Sequence, residues 1–164
     1  MSRYNGDVTD DDPSSKQESA SNPQEQLKII QRAHELNPND PKPLRQMAKL
    51  YKTLRKLDAA ARTHLMLAEV YRKQGDTKRM LAEWEVAVRV RPALIDVREE
   101  LALAYEEQEN TKRAVQTWLS LAEYYEKRGE WDNALAATQE AIRLNPQHPK
   151  ALEYLHRYQK KLTM

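Results

Sequence analysis

"LAEVYRKQGD" (67–76) and "LAEYYEKRGE" (121–130) are near-copies set 54 positions apart. The chain has three glycines, and two of them, Gly75 and Gly129, hold the same place in these copies. A glycine there can take the left-handed conformation that closes a helix. The copies therefore mark a repeated unit of construction and not a bias of composition.

The prolines carry the same register. Pro38, Pro92 and Pro146 are again 54 apart and end three matching stretches, "QLKIIQRAHELNP" (26–38), "MLAEWEVAVRVRP" (80–92) and "ALAATQEAIRLNP" (134–146). Ala33, Ala87 and Ala141 align, as do Leu36, Val90 and Leu144. Each stretch reads as a helix stopped by proline, which cannot continue the hydrogen-bond ladder. Within each unit an apolar residue and an alanine are followed three positions later by tyrosine: Met47-Ala48 and Tyr51, Leu67-Ala68 and Tyr71, Leu101-Ala102 and Tyr105, Leu121-Ala122 and Tyr125. These positions share one helix face. The alanine admits a neighbouring helix and the tyrosine fills the space further along.

Periods of this size signal a helical solenoid. The 34-residue stretches resemble the tetratricopeptide repeat (TPR) family. Over 61–94, Leu67, Ala68, Tyr71, Gly75, Ala87 and Pro92 match its signature, with Trp84 at its second-helix aromatic position. Over 115–148, Leu121, Ala122, Tyr125, Gly129, Ala134, Ala141 and Pro146 match. Partial copies lie at 41–60 and 95–114. The resemblance implies an all-α, right-handed solenoid of about eight antiparallel helices. The spacing departs from tandem 34-residue pairs, since the tyrosine motif steps by 20, 34 and 20. The expectation is a three-helix unit of 54 residues, with helices near 24–36, 42–55, 57–74, 77–91, 95–108, 111–128, 131–144 and 149–162. The last carries His156 and Gln159 where earlier helices carry alanine and tyrosine, which suits a C-terminal capping helix. Residues 1–22, rich in Ser, Asp and Asn, read as a disordered acidic tail before a repeat domain over 23–164.

No catalytic constellation stands out. The four histidines, His34, His64, His148 and His156, lack helical metal spacing. The chain has no cysteine, so no disulfide or thiolate site, and a cytoplasmic location is expected. Three glycines do not make a phosphate loop. No apolar run approaches the roughly 18 residues of a membrane span. Trp84, Trp118 and Trp131 fall in or beside repeat positions and read as packing. No cofactor, metal or small-molecule substrate is expected.

Charge remains. The total is only +2, but its placement is uneven. Lys42, Arg45, Lys49, Lys52, Arg55 and Lys56 stand in 42–56 without an acid. Asp96, Glu99, Glu100, Glu106, Glu107 and Glu109 stand in the equivalent 96–109 against one Arg98. Blocks of one sign steer partners. The expected contact surfaces are a basic patch of Lys42, Arg45, Lys49, Lys52 and Arg55 and an acidic patch of Glu99, Glu100, Glu106 and Glu107. The expected role is a non-catalytic scaffold or adaptor for a protein with an acidic segment. The alternatives are an accessory of a filament or secretion machine, head-to-tail self-association, and the acidic tail folding onto the basic helix. Nucleic-acid binding is disfavoured, since 42–56 offers only Tyr51 for stacking. The TPR resemblance also allows one exclusion. The asparagines of the chaperone-tail clamp would fall at Gln46 and Lys49, Met66 and Glu69, or Glu100 and Leu103, and none is present.

Overall fold

The structure, a computed structural model, describes residues 22–163. The expected tail lies outside them except for Asn22, which is the cap of the first helix: its side chain accepts from the backbone N–H of Gln24. Eight helices follow: α1 (Pro23–Leu36), α2 (Pro41–Thr53), α3 (Leu57–Lys73), α4 (Thr77–Val90), α5 (Ile95–Glu107), α6 (Thr111–Arg128), α7 (Trp131–Leu144) and α8 (Pro149–Leu162). Every start recurs at the 54-residue step: 23, 77 and 131; 41, 95 and 149; 57 and 111. The caps explain the sharp starts. Asp40, Asp76 and Asn110 each accept from a backbone N–H of the first turn, of Lys42, Arg79 and Arg113 respectively, and Pro41 and Pro149 occupy first positions where no N–H is needed.

The helix ends follow one rule. The carbonyls of Tyr51, Tyr71, Tyr105 and Tyr125 accept from the N–H five residues on, in Lys56, Asp76, Asn110 and Glu130. The residue in between is left-handed each time: Arg55 at φ 55°, Gly75 at 71°, Glu109 at 56° and Gly129 at 72°. The glycines meet the expectation. Arg55 and Glu109 do the same work without being glycine.

Substantial packing runs between consecutive helices, heavier within α2–α3–α4 and α5–α6–α7 than across the α4–α5 boundary. That is the three-helix unit. Its middle helix is buried on two sides. In α6, Ala114, Val115, Trp118, Leu119, Leu121, Ala122 and Tyr125 are all buried. Ala102, Ala122, Ala134 and Ala141 have no exposed surface at all, so neighbouring backbones approach closely.

Helices two apart lie side by side. Arg113 of α6 reaches Glu85 of α4, Arg143 of α7 reaches Glu106 of α5, and Lys150 and Arg157 of α8 reach Glu123 and Glu126 of α6. The chain therefore forms two layers, one of α1, α3, α5 and α7 and one of α2, α4, α6 and α8. A unit of three helices is odd, so equivalent helices fall in opposite layers in successive units.

Candidate functional site

This alternation sets the two charged helices on opposite faces. The basic α2 belongs to the even layer and carries net +4. The acidic α5 belongs to the odd layer and carries net −4. The other even helices, α4, α6 and α8, are each net positive as well; of the other odd helices α7 is net negative, α1 neutral and α3 net +1.

On α2, Lys42, Lys49 and Lys52 are exposed and fall along one helical stripe with Arg45. Lys42, Lys49, Lys52 and Arg55 make no side-chain hydrogen bond or ion pair among the described residues. Arg45 is different. Its Nε donates to the Tyr71 hydroxyl at 3.0 Å, Nη2 donates to the same oxygen, and the guanidinium lies over the tyrosine ring. That hydrogen bond raises its pKa from the ordinary arginine value. Arg45 braces α2 on α3.

On α5, Glu100 and Glu107 are exposed and Glu99 is half-buried, and none forms an ion pair among the described residues. Glu99 borders a small cleft of about 210 Å³ between α5 and α7, with Leu121 and Tyr125 of α6 below. Burial, then the charges of Glu99 and Glu130, push the Tyr125 phenol up. Glu106 is not free. It accepts from Trp118 Nε1 at 3.0 Å and from Arg143 Nη2 at 2.6 Å. Partial burial pushes its carboxyl up, but these bonds outweigh it and hold the pKa below the usual carboxylate value.

Larger clefts lie elsewhere, and two of them repeat. One, about 450 Å³, lies between α1 and α3 over α2. Another, about 480 Å³, lies between α4 and α6 over α5. All nine residues lining the first have their 54-residue counterparts in the second. The geometry is kept while the chemistry changes: Met47 becomes Leu101, Ala59 becomes Arg113, and Met66 becomes Ser120. The second cleft has a tenth lining residue, Arg98. It runs on into a lobe of about 430 Å³, also lined by Arg98, toward Tyr124 and Lys127.

In the sequence Arg98 stands out only as the lone base of the acidic block. Its signal is in the register. Positions 44, 98 and 152 read Leu, Arg and Leu; Leu44 is buried and Leu152 is exposed on the last helix, so an arginine stands where the first unit has a core leucine.

Residues 115–158 match the sequence profile of the tetratricopeptide repeat. That segment of the chain is a tetratricopeptide repeat. No curated protein matches the sequence. Among solved structures it is similar to MamA, residues 41 to the end, from Desulfovibrio magneticus RS-1, at 15% identity over 86% of this chain and 85% of that one, with a TM-score of 0.38. It is similar to TTC0263, a thermophilic TPR protein of Thermus thermophilus, at 22% identity over 84% and 89%, with a TM-score of 0.27. A third is YrrB, described as a TPR protein with an unusual peptide-binding site, at 16% identity over 80% and 82%, with a TM-score of 0.32. TPR proteins generally mediate protein–protein interaction. Among the described residues no helix is long and apolar enough to cross a membrane, and no cluster of His, Cys, Asp or Glu is placed to hold a metal.

Proposed function

We propose that the chain is a non-catalytic interaction scaffold with two faces of opposite charge. The even-layer face, led by Lys42, Lys49 and Lys52, takes an acidic segment of a protein partner. The odd-layer face, led by Glu99, Glu100 and Glu107, takes a basic one. The observation that carries this reading is the set of unpaired lysines on α2, a stripe of cations that the fold does not use. Charged surfaces of this kind set encounter rate and selectivity.

The test is capture of partners by the protein beside a Lys49→Glu/Lys52→Glu variant. A partner that binds the first and not the second supports the basic face. Equal recovery of every partner by both removes it.

A second reading follows from the same polarity. Faces of opposite sign on one molecule suit back-to-front stacking of copies, and such a contact propagates unless it closes into a ring. An accessory of a filament or other large assembly would use it. Sedimentation across protein concentration and salt decides this: one species throughout rules stacking out.

A further inference from the structure

The cleft between α4 and α6 holds a cation that the fold does not neutralise. Arg98, on α5 beneath it, is 5% exposed. Its Nη1 donates to the Ser120 carbonyl at 3.3 Å and its Nη2 to the Val88 carbonyl at 3.4 Å, both long. Val88 has that acceptor to spare because the residue four ahead is Pro92, which has no N–H. Nε is buried without a partner. Among the described residues no carboxylate pairs with the guanidinium. Glu123 is taken by Lys150 and Tyr154, and Glu85 by Tyr105 and Arg113. The guanidinium lies over the Tyr124 ring at 5.5 Å. Desolvation lowers its pKa from the ordinary arginine value.

A buried charge without a counter-ion is costly, and the repeat shows what would avoid the cost. Leu44 fills the same place in the first unit with no exposed surface. Arg98 thus departs from the packing of the first unit, at a cleft that runs between two helices of the basic layer. Arg89 and Lys127, at the rim, also lack ion-pair partners among the described residues. The lobe sets these cations beside Val88, Pro92 and Tyr124, and its one carboxylate, Glu123, is held by Lys150. The cleft and its lobe share Val88, Arg89, Arg98 and Ser120, so the one runs on from the other and together they suit an extended chain, while their unpaired cations suit carboxylates.

We propose that the α4–α6 cleft binds an extended acidic peptide segment of a partner, with one Asp or Glu side chain reaching down to pair with Arg98. The planar guanidinium can meet a carboxylate with two parallel hydrogen bonds, and the unpaired Nε supplies one. Arg89 and Lys127 meet further carboxylates at the rim. This rests on the scaffold reading and names the chemistry of one site within it.

The test uses a fluorescently labelled hexaglutamate peptide, read by anisotropy, with hexaglutamine and inorganic phosphate as comparison and competitor. The proteins are the wild type, Arg98→Leu, Arg98→Lys, and Lys49→Glu/Lys52→Glu. Arg98→Leu supplies the residue that Leu44 provides, fully buried, in the first unit, so it is expected to melt no lower than wild type and to bind about ten- to a hundredfold more weakly. Arg98→Lys keeps the charge without the fork and is expected to fall between. Equal binding by wild type and either Arg98 variant overturns the cleft. Loss confined to the Lys49→Glu/Lys52→Glu protein also overturns it, while leaving the basic face of α2 as the site. Hexaglutamine binding as well as hexaglutamate, or phosphate competing as well as unlabelled peptide, overturns the acidic-peptide assignment. A clear fall in the melting temperature of Arg98→Leu makes Arg98 a support of the fold and overturns its role as a ligand group.

Discussion

Arg143 of α7 reaches across to Glu106 of α5, its Nη2 2.6 Å from Oε2. The same carboxylate accepts from Trp118 of the helix between them. One acid thus ties all three helices of the second unit. Glu106→Gln keeps the shape and loses the charge. It is expected to lower stability by at most about 1 kcal/mol, since the amide oxygen still accepts from Trp118 without charge assistance and the lost pair with Arg143, half in water, is screened. Urea titration at neutral pH checks this. An unchanged midpoint would show that the tie contributes nothing.

The left-handed closers allow a test of opposite signs. Arg55 and Glu109 adopt positive φ at the cost of strain that glycine escapes. Arg55→Gly and Glu109→Gly are each expected to stabilise by roughly 1 kcal/mol. Gly75→Ala and Gly129→Ala are expected to destabilise by about as much. A Cβ at either glycine meets no atom within 4 Å, so that loss comes from backbone strain and not from a clash. Chemical denaturation of the four variants decides it, and four shifts of one sign would refute the account.

The α8 helix is held to α6 by acids. Glu123 accepts from Lys150 and Tyr154, and Glu126 from Arg157 and Tyr158. Desolvation pushes the Glu123 carboxyl up, but the Lys150 and Tyr154 bonds outweigh it and hold the pKa below the ordinary carboxylate value of 4.5. A carboxyl with a lowered folded pKa binds fewer protons in the native state than in the unfolded one. Its contribution is therefore full above about 4.5 and drains away as pH falls through the folded value. Glu123→Gln should cost roughly 1 kcal/mol at neutral pH, discounted for partial exposure. The gap in melting temperature between variant and wild type should close in acid. A gap that stays constant from pH 7 down to about 3 would remove the carboxylate from the account.

The helices are legible in the sequence because proline, glycine and the alanine–tyrosine pairs repeat in one register, so each boundary is marked more than once. The left-handed turns at Arg55 and Glu109 carry the same signal, four residues after Tyr51 and Tyr105, but it is hidden because neither residue is glycine. The charge blocks are visible as blocks. What they do not reveal is which members the fold has already taken. Arg45 and Glu106 carry the same charge as their neighbours, and only the positions of Tyr71, Trp118 and Arg143 in space separate a brace from a free group. Arg98 is the reverse case. A composition count makes it an exception to an acidic helix, while alignment on the 54-residue step makes it an arginine in a leucine's place.

That same step pairs Glu106 and Arg143 with Lys52 and Arg89 in the first unit, where the acid is replaced by a base. His64 stands for Trp118 there, bonded to Glu83 of α4 at 2.6 Å. The second unit uses this place for a tie, and the first leaves a cation in water. Lys52→Glu would recreate the tie to Arg89. It is expected to raise the melting temperature by roughly a few degrees and, at once, to weaken binding of an acidic partner to the α2 face. A rise in stability with a loss of binding would show that Lys52 is kept for a partner at the expense of the fold. A variant that is less stable and binds as before would place Lys52 among the supports of the structure and take it out of the contact surface.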